Sequence, residues 1–124
     1  MKKQDFRDEL LISGRICGGR NFDYLKIGQY ELSIQASDCH YCEPRKTLDD
    51  IKLYKSWEIA LFKNGEWLNI ELDEDKELFS KWKYYDEFLH RYDGMVAGYV
   101  STEIIQDLCN FLKVLESESV NIEI

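Results

Sequence analysis

Proline and histidine are almost absent from this chain, and so is any long apolar segment. Pro44 is the only proline, and His40 and His90 are the only histidines. Two histidines leave few groups that exchange protons near neutral pH. No apolar run approaches the roughly 20 residues that a membrane-spanning helix needs. These absences argue against an integral membrane protein and against histidine-based catalysis.

The N-terminal segment also lacks the features of a secretory signal. Its two early lysines are followed by acidic residues rather than by an apolar stretch. The sequence therefore predicts a cytoplasmic protein, in which the four cysteines stay reduced. The chain has 124 residues and neither a linker nor a repeat, which predicts one domain over 1–124, with 1–9 as a flexible or short helical segment.

The short motifs that mark common enzyme classes are missing. There is no phosphate-binding loop, dinucleotide-binding glycine motif, HExxH zinc motif or GxSxG nucleophile motif. The glycine-rich stretch from Gly14 to Gly19 lacks the lysine and the following helix that a phosphate loop requires. We therefore expect a protein that is not an enzyme and that needs no cofactor.

Acidic residues exceed basic ones, and they are unevenly distributed. The chain has 24 acidic and 16 basic residues, a formal charge of −8. Residues 1–65 hold 11 basic and 10 acidic residues, whereas residues 66–124 hold 5 basic and 14 acidic residues. An acidic surface repels nucleic acid and anionic membranes and attracts basic proteins. The charge predicts a basic protein partner, although solubility alone would also explain it.

Hydrophobic periodicity predicts two hairpins. Alternating apolar residues indicate strands at 24–27 and 30–36, joined at Gly28-Gln29, and at 56–63 and 66–72, joined at Asn64-Gly65. Asn-Gly is the dipeptide that best fits a type I′ turn, because both residues accept a positive φ.

Helical spacing is found mainly in the second half of the chain. It predicts helix over most of 73–93 and again from Ser101 or Thr102 to about Glu116, with a short strand at 95–100 between them. The alternating tail at 120–124 predicts an edge strand, and Thr47–Asp50 resembles a helix-capping box. The expected class is α+β, an antiparallel sheet built from hairpins with two or three helices packed on one face.

Residues 37–45, SDCHYCEPR, contain a Cys-x-x-Cys motif. A thioredoxin-type redox site is disfavoured, because the proline just after the second cysteine interrupts the helix that such a site needs. Cys39 and Cys42 have the spacing of half a zinc site, but the other possible ligands are isolated residues: His40, Cys17, His90 and Cys109. We therefore predict no metal site, with Cys39 and Cys42 as the ligands if a metal binds. The possible loop site consists of Asp38, Cys39, His40, Cys42 and Arg45.

The region around the second hairpin is strongly acidic and contains an exposed aromatic candidate. Its possible partner-binding residues are Glu66, Trp67, Glu71, Asp73, Glu74, Asp75 and Glu77. If 71–75 were extended, alternate carboxylates would stand about 6.6 Å apart along one side and mimic the charge of nucleic acid. A solvated connection between hairpin and helix is the structural alternative, and Trp82 and Tyr85 fit a core position better than an exposed one.

Two short patterns resemble a known group of proteins. They are IQAS-x-x-HYC-x-PR, from Ile34 to Arg45, and E-[IV]-A-[LIF]-F, from Glu58 to Phe62. They are similar to small accessory proteins of phages and prophages of Gram-positive bacteria, over about residues 30–70. The resemblance implies an accessory phage function in the host cytoplasm, a class in which small acidic inhibitors of host defence nucleases are frequent. It makes His40 and Arg45 the residues to test.

Three functions follow as hypotheses. The first is a non-enzymatic acidic protein that inhibits a basic, nucleic-acid-binding partner, in concrete form an anti-CRISPR or related anti-defence inhibitor. The second is an immunity protein against a nuclease toxin, which requires the same electrostatics. The third is a small-ligand-binding or zinc-binding domain centred on the Cys-x-x-Cys loop. The sequence leaves the oligomeric state and the partner's identity open.

Overall fold

The computed structural model describes residues 5–16, 19–93 and 95–123, and the chain is α+β, as the sequence predicts. A 3-10 helix at Phe6–Glu9 comes first, and a second lies at Ile51–Leu53. In the described ranges the strands are β1 (Ile12–Ile16), β2 (Gly19–Phe22), β3 (Leu25–Ile27), β4 (Tyr30–Gln35), β5 (Ser56–Lys63), β6 (Glu66–Trp67) and β7 (Val96–Ser101). The α-helices there are α1 (Asp73–Phe79), α2 (Tyr85–Leu89) and α3 (Thr102–Glu123).

An antiparallel sheet of five strands forms the centre of the fold. Its order is β3, β4, β5, and then β6 and β7, which both pair with the far edge of β5. β6 pairs near the end of β5, at 62–63, and β7 pairs with 56–60. β1 and β2 form a separate two-stranded hairpin. The two hairpins predicted from the sequence, β3–β4 and β5–β6, are both present.

The turn between β5 and β6 has the backbone that its dipeptide requires. Asn64 has a φ of 53° and Gly65 a φ of 81°, so both residues lie in the left-handed region, as a type I′ turn demands. Lys63 and Glu66 are paired across the turn. The backbone N–H of Asn64 also donates to the Gln29 carbonyl, which ties this turn to that of the first hairpin.

The helices cover one face of the sheet. The apolar residues of β4 and β5 that face them, among them Leu32, Ile34, Ile59 and Leu61, are buried. α3 contributes Ile104, Ile105, Leu108, Cys109 and Leu112 to the same core. α3 begins where the sequence predicts, because the Ser101 hydroxyl accepts a hydrogen bond from the Ile104 N–H.

Three local predictions are wrong. β6 ends at Trp67 instead of reaching Leu72, which is exposed, because Asn69 starts a turn in which its side chain accepts from the Glu71 N–H. Residues 120–123 continue α3 and form no edge strand, since no proline or glycine ends the helix after Glu116. Asp50, not Thr47, caps the helical turn at Ile51–Leu53, because the Asp50 carboxylate accepts from the Lys52 N–H.

The opposite face of the sheet carries no helix in the described residues. The β1–β2 hairpin stands at one end of this open face. Gln35 of β4 holds it there, because its Oε1 accepts from the Phe22 N–H at 2.7 Å and its Nε2 donates to the Phe22 carbonyl at 2.9 Å. The open sheet face and the hairpin therefore enclose a groove.

Candidate functional site

The Cys-x-x-Cys loop is organised around Ser37, which is fully buried. The Ser37 hydroxyl accepts from the Cys39 N–H at 3.2 Å and lies 2.6 Å from Nδ1 of His40. The Ser37 carbonyl accepts from the thiol of Cys42 at 3.3 Å. The loop thus uses its polar groups largely to hold its own conformation.

The two other loop residues named from the sequence lie on the surface. Arg45 is exposed, and its guanidinium carbon lies 5.1 Å from the centre of the Tyr41 ring. Asp38 and Thr47 bond to each other through the Asp38 N–H, the Thr47 hydroxyl and the Asp38 carboxylate. These contacts close the loop from outside and leave the Arg45 side chain accessible.

Neither the redox nor the metal hypothesis gains support from this geometry. Burial raises the pKa of the Cys42 thiol, whereas a redox-active thiol needs a lowered pKa. Burial also lowers the pKa of His40, so its imidazole is neutral at pH 7. Within the described ranges, no group of three or more His, Cys, Asp and Glu side chains is placed to hold a metal ion.

The thiols should differ sharply in reactivity. In a Cys17→Ser background, which removes the one cysteine outside the described residues, a disulfide reagent should modify Cys39 first. Cys42 and Cys109 should react only on unfolding, because both are buried and burial raises the pKa of Cys109 to about 12. Peptide mass analysis of the labelled native protein measures this, and fast labelling of Cys42 would contradict the structural role of its thiol.

The acidic segment does not form the extended row of carboxylates that the sequence suggested. That expectation is wrong because Asp73 begins helix α1. The side chains of Asp73 and Glu74 lie outside the described part of the structure. Asp75 forms an ion pair with Lys63 at 3.1 Å, and both side chains are mostly buried. Among the described side chains of the segment, the exposed carboxylates are those of Glu66, Glu71 and Glu77.

An aromatic surface lies on the open sheet face beside this segment. We use the name aromatic strip for Tyr24, Phe62 and Trp67, whose rings are in contact in that order. The Tyr24 and Phe62 rings are stacked at 5.0 Å with planes 13° apart, and the Phe62 and Trp67 rings are 4.5 Å apart. Tyr24 and Trp67 are 53% and 51% exposed, whereas Phe62 is buried between them. Trp67 is therefore exposed, as the sequence predicted, and it belongs to a larger surface.

The groove runs from the aromatic strip to the β1–β2 hairpin and has a volume of about 690 Å³. Its floor is formed by the outward side chains of β4 and β5, and its sides by hairpin residues, Trp67 and Val96. Glu58 of β5 lines the groove, and so does His40 of the Cys-x-x-Cys loop. His40 is the one member of the predicted loop site among the described residues that line the groove. A volume of this order accommodates a drug-sized ligand or a few side chains.

Sequence reasoning missed Tyr24, Phe62 and Glu58 as members of a site. One signal was present: in β5 the inward residues Trp57, Ile59 and Leu61 are apolar, and Phe62, on the other face, is apolar too. A large aromatic residue on the expected solvent face indicates a second contact surface. The IQAS motif now has a structural explanation, since Gln35 holds the hairpin and Ser37 holds the loop.

None of the described helices is long and apolar enough to cross a membrane. Comparison of the chain with protein-family models, with curated proteins and with solved structures finds no match.

Proposed function

We propose that this chain is a non-enzymatic binding protein that occupies a basic, nucleic-acid-binding surface of another protein. The observation that carries the proposal is the aromatic strip, in which the rings of Tyr24 and Trp67 are more than half exposed. Each of these two residues directly follows an exposed acidic residue, Asp23 or Glu66. Exposed tryptophan and tyrosine beside charged residues are typical of protein-binding surfaces, where they supply most of the binding energy.

Charge supports the choice of a basic partner. Residues 66–124 carry a formal charge of 5 minus 14, or −9, and the exposed carboxylates of Glu66, Glu71 and Glu77 follow the β5–β6 turn. A field of this sign speeds the approach of a cationic surface and opposes that of nucleic acid. A protein that covers such a surface on its partner competes with the partner's nucleic acid.

Binding fits the chemistry of the Cys-x-x-Cys loop better than catalysis does. The Cys42 thiol donates to a main-chain carbonyl, and burial raises its pKa, so it is a poor nucleophile. The resemblance to phage and prophage accessory proteins gives the proposal its concrete form, an inhibitor of a host defence nuclease such as a CRISPR effector.

The proposal predicts salt-sensitive capture of a basic protein. The tagged chain is used to capture proteins from a lysate of the bacterium that carries it, at about 0.05 M and about 0.5 M salt. The expected result is one stoichiometric basic nucleic-acid-binding protein that is retained only at low salt. The purified partner should then lose its nucleic acid when this chain is added.

A pair of matched variants locates the surface. Glu66→Lys with Glu71→Lys should abolish capture, whereas Asp49→Lys with Glu87→Lys, also at exposed positions, should not. Each replacement changes the charge by +2, so both variants carry −8 plus 4, or −4. Asp75 is left unchanged because its ion pair with Lys63 contributes to the fold. Equal loss of capture in both variants would show that net charge alone controls binding. That result would contradict a defined binding surface.

A further inference from the structure

The groove contains hydrogen-bond acceptors that lack donors. Within the described ranges the half-buried carboxylate of Glu58 forms no hydrogen bond or ion pair with a protein group, and its oxygens stay open to solvent in the groove. Gln35, its cross-strand neighbour, cannot supply a donor, because its amide nitrogen already donates to Phe22 and Ser33. Asn21 also lines the groove, and its Oδ1 is buried without a hydrogen-bond partner among the described residues. A ligand that satisfies this site must donate hydrogen bonds.

The charges around the groove favour a cation. Its lining includes the carboxylates of Asp23 and Glu58, and among the described residues that line it there is no lysine or arginine. Among the described side chains, the guanidinium nitrogens Nη1 and Nη2 of Arg20 donate to the Leu48 and Ala36 carbonyls, and Arg45 lies over Tyr41. Nε of Arg20 is buried without a partner there, so this arginine does not pair with Glu58. His40 also lines the groove, and burial lowers its pKa, so it adds no positive charge at pH 7.

The shape of the groove fits a long side chain with an apolar stem. Glu58 and Phe62 are four residues apart on the same face of β5, which is about 13 Å along the strand. Ala60 lies between them and leaves room above the floor. A side chain that enters at the aromatic strip can pack its methylene groups against Phe62 and Trp67 and place its head group near Glu58.

We propose that the groove receives an arginine side chain of the basic partner, with its stem on the aromatic strip and its guanidinium paired with Glu58. Arginine fits better than lysine because its five N–H donors match the two oxygens of a carboxylate and leave others for a further acceptor such as Asn21. This inference rests on the proposed function, since it names the partner group that the same face recognises.

The experiment uses blocked tripeptides as probes. N-acetyl-Gly-Arg-Gly amide is compared with its citrulline analogue, which has the same length but no charge, and with its lysine analogue. Binding is followed by NMR at the indole N–H of Trp67 and the amide of Glu58. The arginine peptide should shift both signals, and the citrulline peptide should bind about tenfold more weakly. Equal binding of the arginine and citrulline peptides would overturn the proposal.

Variants separate this inference from the function on which it rests. Glu58→Gln keeps the shape of the side chain and should lower the affinity for the arginine peptide about tenfold. Glu87→Gln, at an exposed position of α2, should leave that affinity unchanged. Loss of peptide binding in Glu58→Gln supports the arginine site. If Glu58→Gln binds the peptide and captures the partner as well as the wild type does, the proposed function stands and the arginine site is rejected.

Discussion

Trp57→Ala is expected to destabilise the protein by about 3–5 kcal/mol, a large part of the total stability of a typical domain. Trp57 is fully buried, and its ring lies 5.6 Å from Phe6, 6.4 Å from Phe22 and 5.2 Å from Tyr54. Its indole N–H donates to the Thr102 hydroxyl at 3.0 Å. The side chain thus joins the N-terminal 3-10 helix, β2, the segment before β5 and α3, and alanine would leave a cavity between them.

The matched control is Trp67→Ala. Trp67 is half exposed and packs mainly on Phe62, so its removal should cost about 1 kcal/mol. Urea denaturation measures both changes, and Trp57→Phe provides a folded variant if Trp57→Ala does not fold. Similar losses for Trp57→Ala and Trp67→Ala would contradict the assignment of one tryptophan to the core and the other to the binding surface.

Arg20→Met is expected to cost about 2–4 kcal/mol. Arg20 is 94% buried, and its guanidinium donates to the Leu48 carbonyl at 2.6 Å, the Ala36 carbonyl at 3.1 Å and the Tyr54 hydroxyl at 3.3 Å. Methionine preserves much of the volume but leaves these acceptors without their donor. Because Arg20 belongs to β2, its loss should also loosen the hairpin that forms one side of the groove.

Arg45→Met provides the comparison for Arg20→Met. Arg45 is exposed and stacks on Tyr41, so its replacement should change the free energy of unfolding by about 1 kcal/mol or less. The two variants make the same chemical change, and urea denaturation compares them directly. If Arg20→Met is as stable as Arg45→Met, the prediction is wrong. The unfavourable free energy of desolvating the Arg20 guanidinium would then equal the favourable free energy of its hydrogen bonds.

Local signals predicted much of the fold. Asn64-Gly65 predicts the second hairpin, and the alternation in β4 predicts its buried face. The pair Ser101 and Thr102 predicts the start of α3, and in the structure Ser101 is the residue that caps it. The local predictions that are wrong each conflict with a second, weaker signal in the sequence. Asn69 ends β6 through its side-chain turn, and the absence of any stop signal after Glu116 lets α3 continue.

The groove could not be predicted in the same way. Phe62 and Trp67 lie opposite each other in the β5–β6 hairpin, which the sequence predicts. Tyr24 comes from the segment before β3, and only the pairing of β3, β4 and β5 brings its ring onto Phe62. Composition identifies the acidic segment, but it does not show which of its carboxylates form ion pairs within the protein. Asp75 is paired with Lys63, whereas Glu66 and Glu71 are exposed.

The most direct test of the central claim is hydrogen exchange of the chain with and without its captured partner. We expect slower exchange on complex formation in 23–24, 58–67 and the segment up to Glu71, because these residues contain the aromatic strip and the exposed carboxylates of Glu66 and Glu71. Exchange in the exposed turns of α2 and α3 should be unchanged. Protection confined to α2 and α3, with none on the open face, would contradict the proposal that this protein binds a basic partner through the aromatic strip and the exposed carboxylates of Glu66 and Glu71.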